Sequence, residues 1–240
     1  MDNADQGRPP LIKKIETGAF MALAAILVSA GCRAPRAIIA PVPAALNEIE
    51  GYASLRVTMN GESARSKFSF VLEPSRRAKV DIQDWLGRTA AEIHIDEGEA
   101  YFVLRSKKVY WKALPDEIIE KFLGSRLSLQ EMTSLLCGRW KGERIGDRQT
   151  LSEWIFNEDD EGRKASGRKG DFEFKVREFF SGSSVPRRLD FRSVDGRGSI
   201  TVLVMAFNKP VADRLFTKDF LKDFSPKIWE DIEKILKHEN

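Results

Sequence analysis

Between residues 52 and 112 the chain repeats one pattern, apolar side chains at every second position. Ala53, Leu55, Val57 and Met59 alternate with Ser54, Arg56 and Thr58. Asn60-Gly61 follows, and both residues accept the positive φ that a two-residue hairpin turn demands. Beyond it Phe68, Phe70 and Leu72 alternate with Lys67, Ser69 and Val71, and further runs at 78–84, 89–95, 100–105 and 108–112 continue the pattern, with Asp96-Glu97-Gly98 as a turn. A period of two with one polar side describes an antiparallel meander with one wet face, whose other face has to be covered.

Two short helical patterns interrupt the strands. Pro115 and Asp116 open a stretch with Ile118, Ile119, Phe122 and Leu123 at helical spacing, closed by Gly124. Ser128 caps a second with Leu129, Met132, Leu135 and Leu136, closed by Gly138. Both are amphipathic and too short to stand alone, so each needs a surface to lie on. Strands resume at 151–157, 171–179, 188–193 and 199–207, the last two joined through Asp195-Gly196, for about ten strands in an α+β chain. The polar stretch 158–170 reads as a mobile hairpin loop, and residues 44–50 as a short helix. Ser225-Pro226 reads as the start of a final helix with Ile228, Trp229, Ile232, Ile235 and Leu236 on one face.

The N-terminus is a different kind of segment. Arg8, Lys13 and Lys14 precede a run, 18–31, that carries no charge and is dominated by apolar residues. It is too short for the roughly 20 residues a membrane-spanning helix takes, and it suits the apolar part of a signal peptide. The run ends Val28-Ser29-Ala30-Gly31-Cys32, which resembles the lipobox of bacterial lipoproteins, where the thiol is acylated and becomes the new N-terminus. The expected organisation is a lipoprotein signal peptide at 1–31, a lipidated tether at 32–43 with Pro35, Pro41 and Pro43, a domain at 44–208, and an extension at 209–240 with its amphipathic helix. An ordinary secretory signal is the alternative reading of residues 1–31. No other stretch of spanning length follows, so the chain is expected to hang from its lipid. Arg33, rather than Asp, follows Cys32, which is compatible with the outer membrane and its periplasmic face.

The net charge of +3 is close to neutral and gives no argument for nucleic acid. Of the two cysteines, an acylated Cys32 leaves Cys137 without an intramolecular partner. In the apolar run Leu135-Leu136-Cys137 it reads as a buried, inert thiol.

Four stretches resemble the LolA/LolB family, and within it the LolB branch of outer-membrane lipoprotein receptors. Trp85-Leu86-Gly87 sits in a strand-to-strand loop where the family has a Pro-Leu-Gly-type loop. Residues 110–124 read as a Tyr-x-Ala-like step and then Glu-x-Ile-x-x-x-x-Gly. Residues 124–138 run from Gly through a short polar link to an apolar helix ending Leu-x-Gly. Pro186 to Phe207 is similar to the family's closing hairpin. The resemblance spans roughly residues 50–208 and implies an unclosed antiparallel β half-barrel, with helices covering its concave face and a cavity for acyl chains between them. The cavity lining it implies is Phe68, Phe70, Leu72, Val80, Ile82, Ile93 and Ile95, lidded by Ile118, Phe122 and Leu135. The same side chains serve equally, taken alone, as a packed core. Leu86, with Trp85 and Gly87, would form a membrane-facing loop that helps release cargo; packing on the domain edge is the alternative.

The function the resemblance implies is a monomeric, membrane-anchored receptor that accepts lipoproteins by their acyl chains, from a periplasmic lipoprotein carrier, and inserts them into the outer membrane. Two alternatives stay open. One is a structural or assembly lipoprotein that binds a protein partner through the 157–170 loop or the final helix; the other is a half-barrel receptor for another lipid or glycolipid. Arg163, Lys164, Arg168 and Lys169 read either as a headgroup-attracting loop or as a solvated one. No catalytic set emerges, so an enzyme is not expected. His94 and His238 belong to no metal-spaced cluster, Asp159, Asp160 and Glu161 lack calcium-loop spacing, and no cofactor motif is present.

Overall fold

The computed structural model describes residues 38–39, 42–140 and 153–238. The strands are β1 (Ile38–Ile39), β2 (Ile49–Met59), β3 (Glu62–Glu73), β4 (Arg77–Gln83), β5 (Thr89–Asp96), β6 (Glu99–Leu104), β7 (Val109–Ala113), β8 (Ile155–Glu158), β9 (Lys164–Lys169), β10 (Phe172–Phe179), β11 (Pro186–Arg192), β12 (Gly196–Phe207) and β13 (Ser225–Pro226). The helices are α1 (Pro115–Leu123), α2 (Leu129–Cys137) and α3 (Trp229–His238). The signal segment and Cys32 lie outside the described residues.

The sheet grows from its turns. Asn60 and Gly61 take φ of 51° and 84°, so β2 folds onto β3 in register from Met59↔Glu62 to Ile49↔Leu72. The order along the sheet is β13-β7-β6-β5-β4-β3-β2-β12-β11-β10-β9-β8, with β1 pairing β12. Neighbours from β7 to β8 along this path pair antiparallel; only the two-residue strands β1 and β13 pair parallel. The two ends of the path never meet, so the sheet is an unclosed half-barrel, and all three helices lie against its inner, apolar face.

Three local expectations are corrected. Residues 44–48 are bends and Ile49 opens β2, because Leu46 and Ile49 bury into the core without a helical turn between them. The 158–170 stretch is not a mobile loop: Asp159 Oδ1 accepts from the Glu161 and Arg163 amides, Gly162 takes φ 73°, and β9 follows. Arg163 then stacks 4.2 Å over Phe179, which ties the turn down. Ser225-Pro226 does not start a helix but extends the sheet edge beside β7, held by Ser225 N–H to Lys108 O and Lys227 N–H to Tyr110 O.

The inner face is filled in two ways. Under β8–β12 it is covered by aromatics: Trp140 stacks on Phe174 at 4.8 Å, and Trp154 on Phe156 at 5.8 Å. α2 is fixed against this half, with eight of its nine residues buried. Its anchor is Glu131, which closes a capping box with Ser128 and accepts from Trp154 Nε1 at 2.8 Å and Lys169 Nζ at 2.7 Å. Burial pushes this carboxyl up, but the bonds from Lys169, Ser128 and Trp154 outweigh it and hold it below the ordinary range. Cys137 ends the helix, fully buried and unpaired, and burial raises its thiol to about 12.

Residues 209–238 wrap around the β7 edge. Phe220 covers the outer face at His94 (4.7 Å) and Tyr101 (6.2 Å), and β13 then caps the edge strand, which protects it from further pairing. α3 crosses to the inner face, where Trp229 meets Trp111 at 4.8 Å and Phe102 at 6.1 Å, and Ile232 is fully buried. Beneath the wrap, buried Glu92 accepts from Arg105 and lies 2.8 Å from His94 Nε2. Burial raises its carboxyl, yet the bonds from His94 and Arg105 bring it down to about 2.

Two outcomes follow. Glu131→Ala leaves Lys169, Ser128 and Trp154 without their acceptor and is expected to cost about 3–5 kcal/mol, read as a fall in Tm of order 10 °C. The depressed Glu92 carboxyl stabilises the fold above the ordinary range near 4.3, and that contribution is lost as pH falls toward about 2. In acid titrations of stability, Glu92→Gln should therefore lose less than the wild-type chain between those two values; an identical acid profile contradicts the pairing.

Candidate functional site

Under β2–β5 the inner face is lined but not filled. The lining comes from register: Phe68 faces Ile82 across β3–β4, Phe70 faces Val80 and then Ile93, and Leu72 faces Ala78 and then Ile95. Each row places apolar side chains on the same face because strand side chains alternate. Leu55, Ser66 and Ile200 complete the floor, and Ile119, Phe122, Leu123, Leu129, Met132 and Leu136 form the roof. The space between them is a cleft of about 130 Å³ in which Ser66 is the one residue with a polar side chain. A water's share of liquid volume is about 30 Å³, so roughly four waters, or a comparable run of methylenes, fit.

Eight of the ten residues expected here line the cleft: Phe68, Phe70, Leu72, Val80, Ile82, Ile93, Ile95 and Phe122. Ile118 and Leu135 do not. Both are fully buried on other sides of their helices, because α1 also packs on β6 and β12 and α2 on β11. A step of one residue turns a helix by about 100°, and it is Ile119 and Leu136 that face the cleft. Their neighbours in sequence are equally apolar, so helical spacing alone does not separate them.

The cleft has a closed end and an open one. Leu72, Ala78 and Ile95 are buried, whereas Leu55, Ser66, Phe68 and Ile82 are half-buried. The open end lies where Lys67 pairs with Gln83, beside the β4–β5 loop. Ser66 also borders a wide outer recess of about 1210 Å³, together with Trp85, Gly87, Arg88 and, from α3, Leu236. Cleft mouth, loop and the end of α3 therefore meet at one rim.

The loop is built to hold its apolar residues out. Asp84 Oδ1 accepts from the amides of Leu86 and Arg88, both at 2.9 Å, and Oδ2 accepts from Arg88 Nε at 2.9 Å. Bonds from Arg88 and from the Leu86 amide hold the Asp84 carboxyl below its ordinary range. Gly87 takes φ +80° and closes the turn with its amide on Asp84 O. The outcome is Trp85 at 88 % exposure and Leu86 at 53 %. The loop thus displays two large apolar side chains to solvent, side by side. Asp84 was not among the residues singled out from sequence; an Asp two residues before Leu86 and four before Arg88 is the turn signal that points to it.

Two other expected features are placed elsewhere. The stretch bearing Arg163, Lys164, Arg168 and Lys169 is the β8–β9 hairpin, in which Arg163 pairs with Asp159 and Lys169 with Glu131. His94 lies under Phe220 on the outer face, away from the cleft. No group of His, Cys, Asp or Glu among the described residues is placed to hold a metal ion, and no helix among them is long and apolar enough to cross a membrane.

No protein-family model matches the chain, and no curated protein matches it. Solved structures similar to it include a LolA superfamily protein from Nitrosomonas europaea, at 10% identity, covering 73% of this chain and 92% of that one with a TM-score of 0.47. A DUF1329 family protein from Desulfovibrio piger is similar at 7% identity, covering 72% and 90% with a TM-score of 0.48. A putative outer membrane lipoprotein-sorting protein domain from Vibrio parahaemolyticus is similar at 8% identity, covering 73% and 92% with a TM-score of 0.43. The half-barrel description rests on the chain's own strand order.

Proposed function

We propose that this protein is a membrane-anchored lipid carrier or receptor of the bacterial envelope, which takes acyl chains into the cleft and delivers them to a membrane at the Trp85-Leu86 rim. The observation that carries this reading is that an all but wholly apolar cleft opens at the same rim as a rigid, exposed Trp-Leu loop. The sequence resemblance to the LolB branch supports lipoprotein anchors as the cargo and a periplasmic carrier protein as the donor. Cys32, acylated, would hold the chain to the outer membrane on its periplasmic face.

Energetics frame the mechanism. Each buried methylene is worth about 0.8 kcal/mol, so a run of roughly four gains on the order of 3 kcal/mol, a fraction of what a whole chain gains in a bilayer. A whole anchor needs more room. α2 is fixed through Glu131, whereas α1 buries only Ile118 and Leu123, and α3 joins it through Trp229, over which Lys121 sits at 5.2 Å. The cleft therefore widens by movement of α1 and α3 against a fixed α2 and sheet. Trp85 and Leu86 then enter the interfacial layer, which suits an indole, and the chain slides from cleft to lipid without crossing water.

The alternative of a protein-docking structural lipoprotein has less to rest on. The 158–170 stretch is a tied hairpin, and the apolar face of α3 is spent on the chain's own core.

Native mass spectrometry of the protein with an acylated lipopeptide tests the reading. Ile93→Trp fills the cleft and is expected to weaken lipopeptide binding at least tenfold, at a folding cost of about 1–3 kcal/mol. Leu86→Glu is expected to leave lipopeptide binding unchanged while slowing its transfer to vesicles by an order of magnitude. Wild-type protein that ignores lipopeptide, or Ile93→Trp that binds it equally well, contradicts the carrier.

A further inference from the structure

The outer face of β2 and β8–β12 carries a strong local excess of positive charge. A recess of about 820 Å³ on it is bordered by seven basic side chains and two carboxylates, although the whole chain has a net charge of only +3. Asp190 pairs with Arg177 at 2.6 Å and Arg188 at 3.9 Å, and Glu173 pairs with Arg192 at 3.2 Å. Arg56, Arg168, Lys175 and Arg197 have no carboxylate in ion-pair distance among the described residues.

Register arranges these charges in two rows. Arg168, Glu173, Arg192 and Arg197 are cross-strand neighbours in the row nearer the β11–β12 turn. Lys175, Asp190, Ser199 and Arg56 form the next. Arg192 and Arg197 stand directly opposite each other, a like-charge pair that repels, and among the described residues around the recess Glu173 and Asp190 offset only part of the seven positive charges. An anionic partner would offset the rest.

Apolar side chains at the edge of the patch favour one class of partner. Ile155 borders the recess at 60 % exposure, and Val194, in the turn between Arg192 and Arg197, is 74 % exposed. A soluble polyanion gains nothing from them, whereas exposed apolar residues among basic ones are the composition that binds an anionic membrane interface. The antiparallel register also puts the β11–β12 turn at the same end of the sheet as the Asn60-Gly61 turn and the Trp85 loop.

We propose that this basic face docks on an anionic lipid bilayer, with Arg168 and Arg197 on headgroups and Val194 in the interfacial layer, so that the protein lies with its cleft mouth toward lipid. The inference takes from the proposed function only which end of the sheet meets the membrane, and it does not require a loaded cleft.

The test is partition of the full chain between two vesicle populations present together, one of phosphatidylcholine and one of phosphatidylcholine with phosphatidylglycerol. The wild-type chain is expected to concentrate on the anionic vesicles, and the preference to vanish in molar salt. Arg168→Gln with Arg197→Gln, both exposed and outside the core, should reduce the preference about fivefold per charge removed. Adding Arg56→Gln and Lys175→Gln should reduce it further. Hydrophobic attachment through the N-terminal segment is common to every variant and both vesicle types, so it cancels in the ratio. Equal partition of the wild-type chain, or a preference that survives all four substitutions, overturns the proposal. So does a chain that ignores anionic vesicles but binds polyglutamate through these residues, which would assign the face to an acidic protein. Lipopeptide binding measured on the same variants should be unchanged; its failure in wild type and variants alike would count against the cleft reading and leave this result standing.

Discussion

An apolar sheet face that does not close on itself has to be covered, and the rest of this structure follows from how that is done. The antiparallel path from β13 to β8 presents one continuous inner face. Closing it into a barrel would remove the edges and fix the interior volume. Left open, it depends on helices for its cover, and helices pack on a curved sheet only as well as their side chains fit. The Trp140, Trp154, Phe156 and Phe174 rings pack against one another in one half. The other half, under α1, retains a cleft.

This division leaves one side of the molecule tied by buried polar bonds and the other held by apolar contact. Glu131 is the fixed point: a single buried carboxylate satisfies a helix cap, a tryptophan N–H and a lysine, and so links α2 to β8 and β9. Among the described residues no comparable buried bond holds α1, whose inward residues Ile119 and Phe122 are half-buried. Exposed and basic residues collect where the cleft opens, with Trp85 and Leu86 displayed on a turn that Asp84 stiffens. The cleft, its lids and the rim thus form one path from interior to surface.

Much of the sheet was legible because period-two alternation and turn pairs such as Asn60-Gly61 and Asp195-Gly196 are local signals with direct steric causes. The helices between Pro115 and Gly138 were legible for the same reason, from their caps. Three elements were not. The β8–β9 hairpin is polar on its surface, and its order comes from Asp159 and from Phe179, which is distant in sequence. The 225–226 strand exists only because the β7 edge is there to pair with. Ile118 and Ile119 are chemically alike, and only the packing of α1 against β6 and β12 decides which one turns to the cleft. Core versus cavity was open from composition, since the residue types are identical; the answer depends on how closely α1 approaches β3–β5, a tertiary quantity.

The central claim is that the space under α1 receives an acyl chain. Intermolecular nuclear Overhauser effects between the methylenes of a bound lipopeptide and the methyl groups of the protein test it most directly. The account predicts contacts at Val80, Ile82, Ile93, Ile119 and Leu136, and none at Ile232, which is buried against α3's own packing. Contacts confined to exposed methyls such as those of Leu86 and Val194, with none from the cleft, would contradict it.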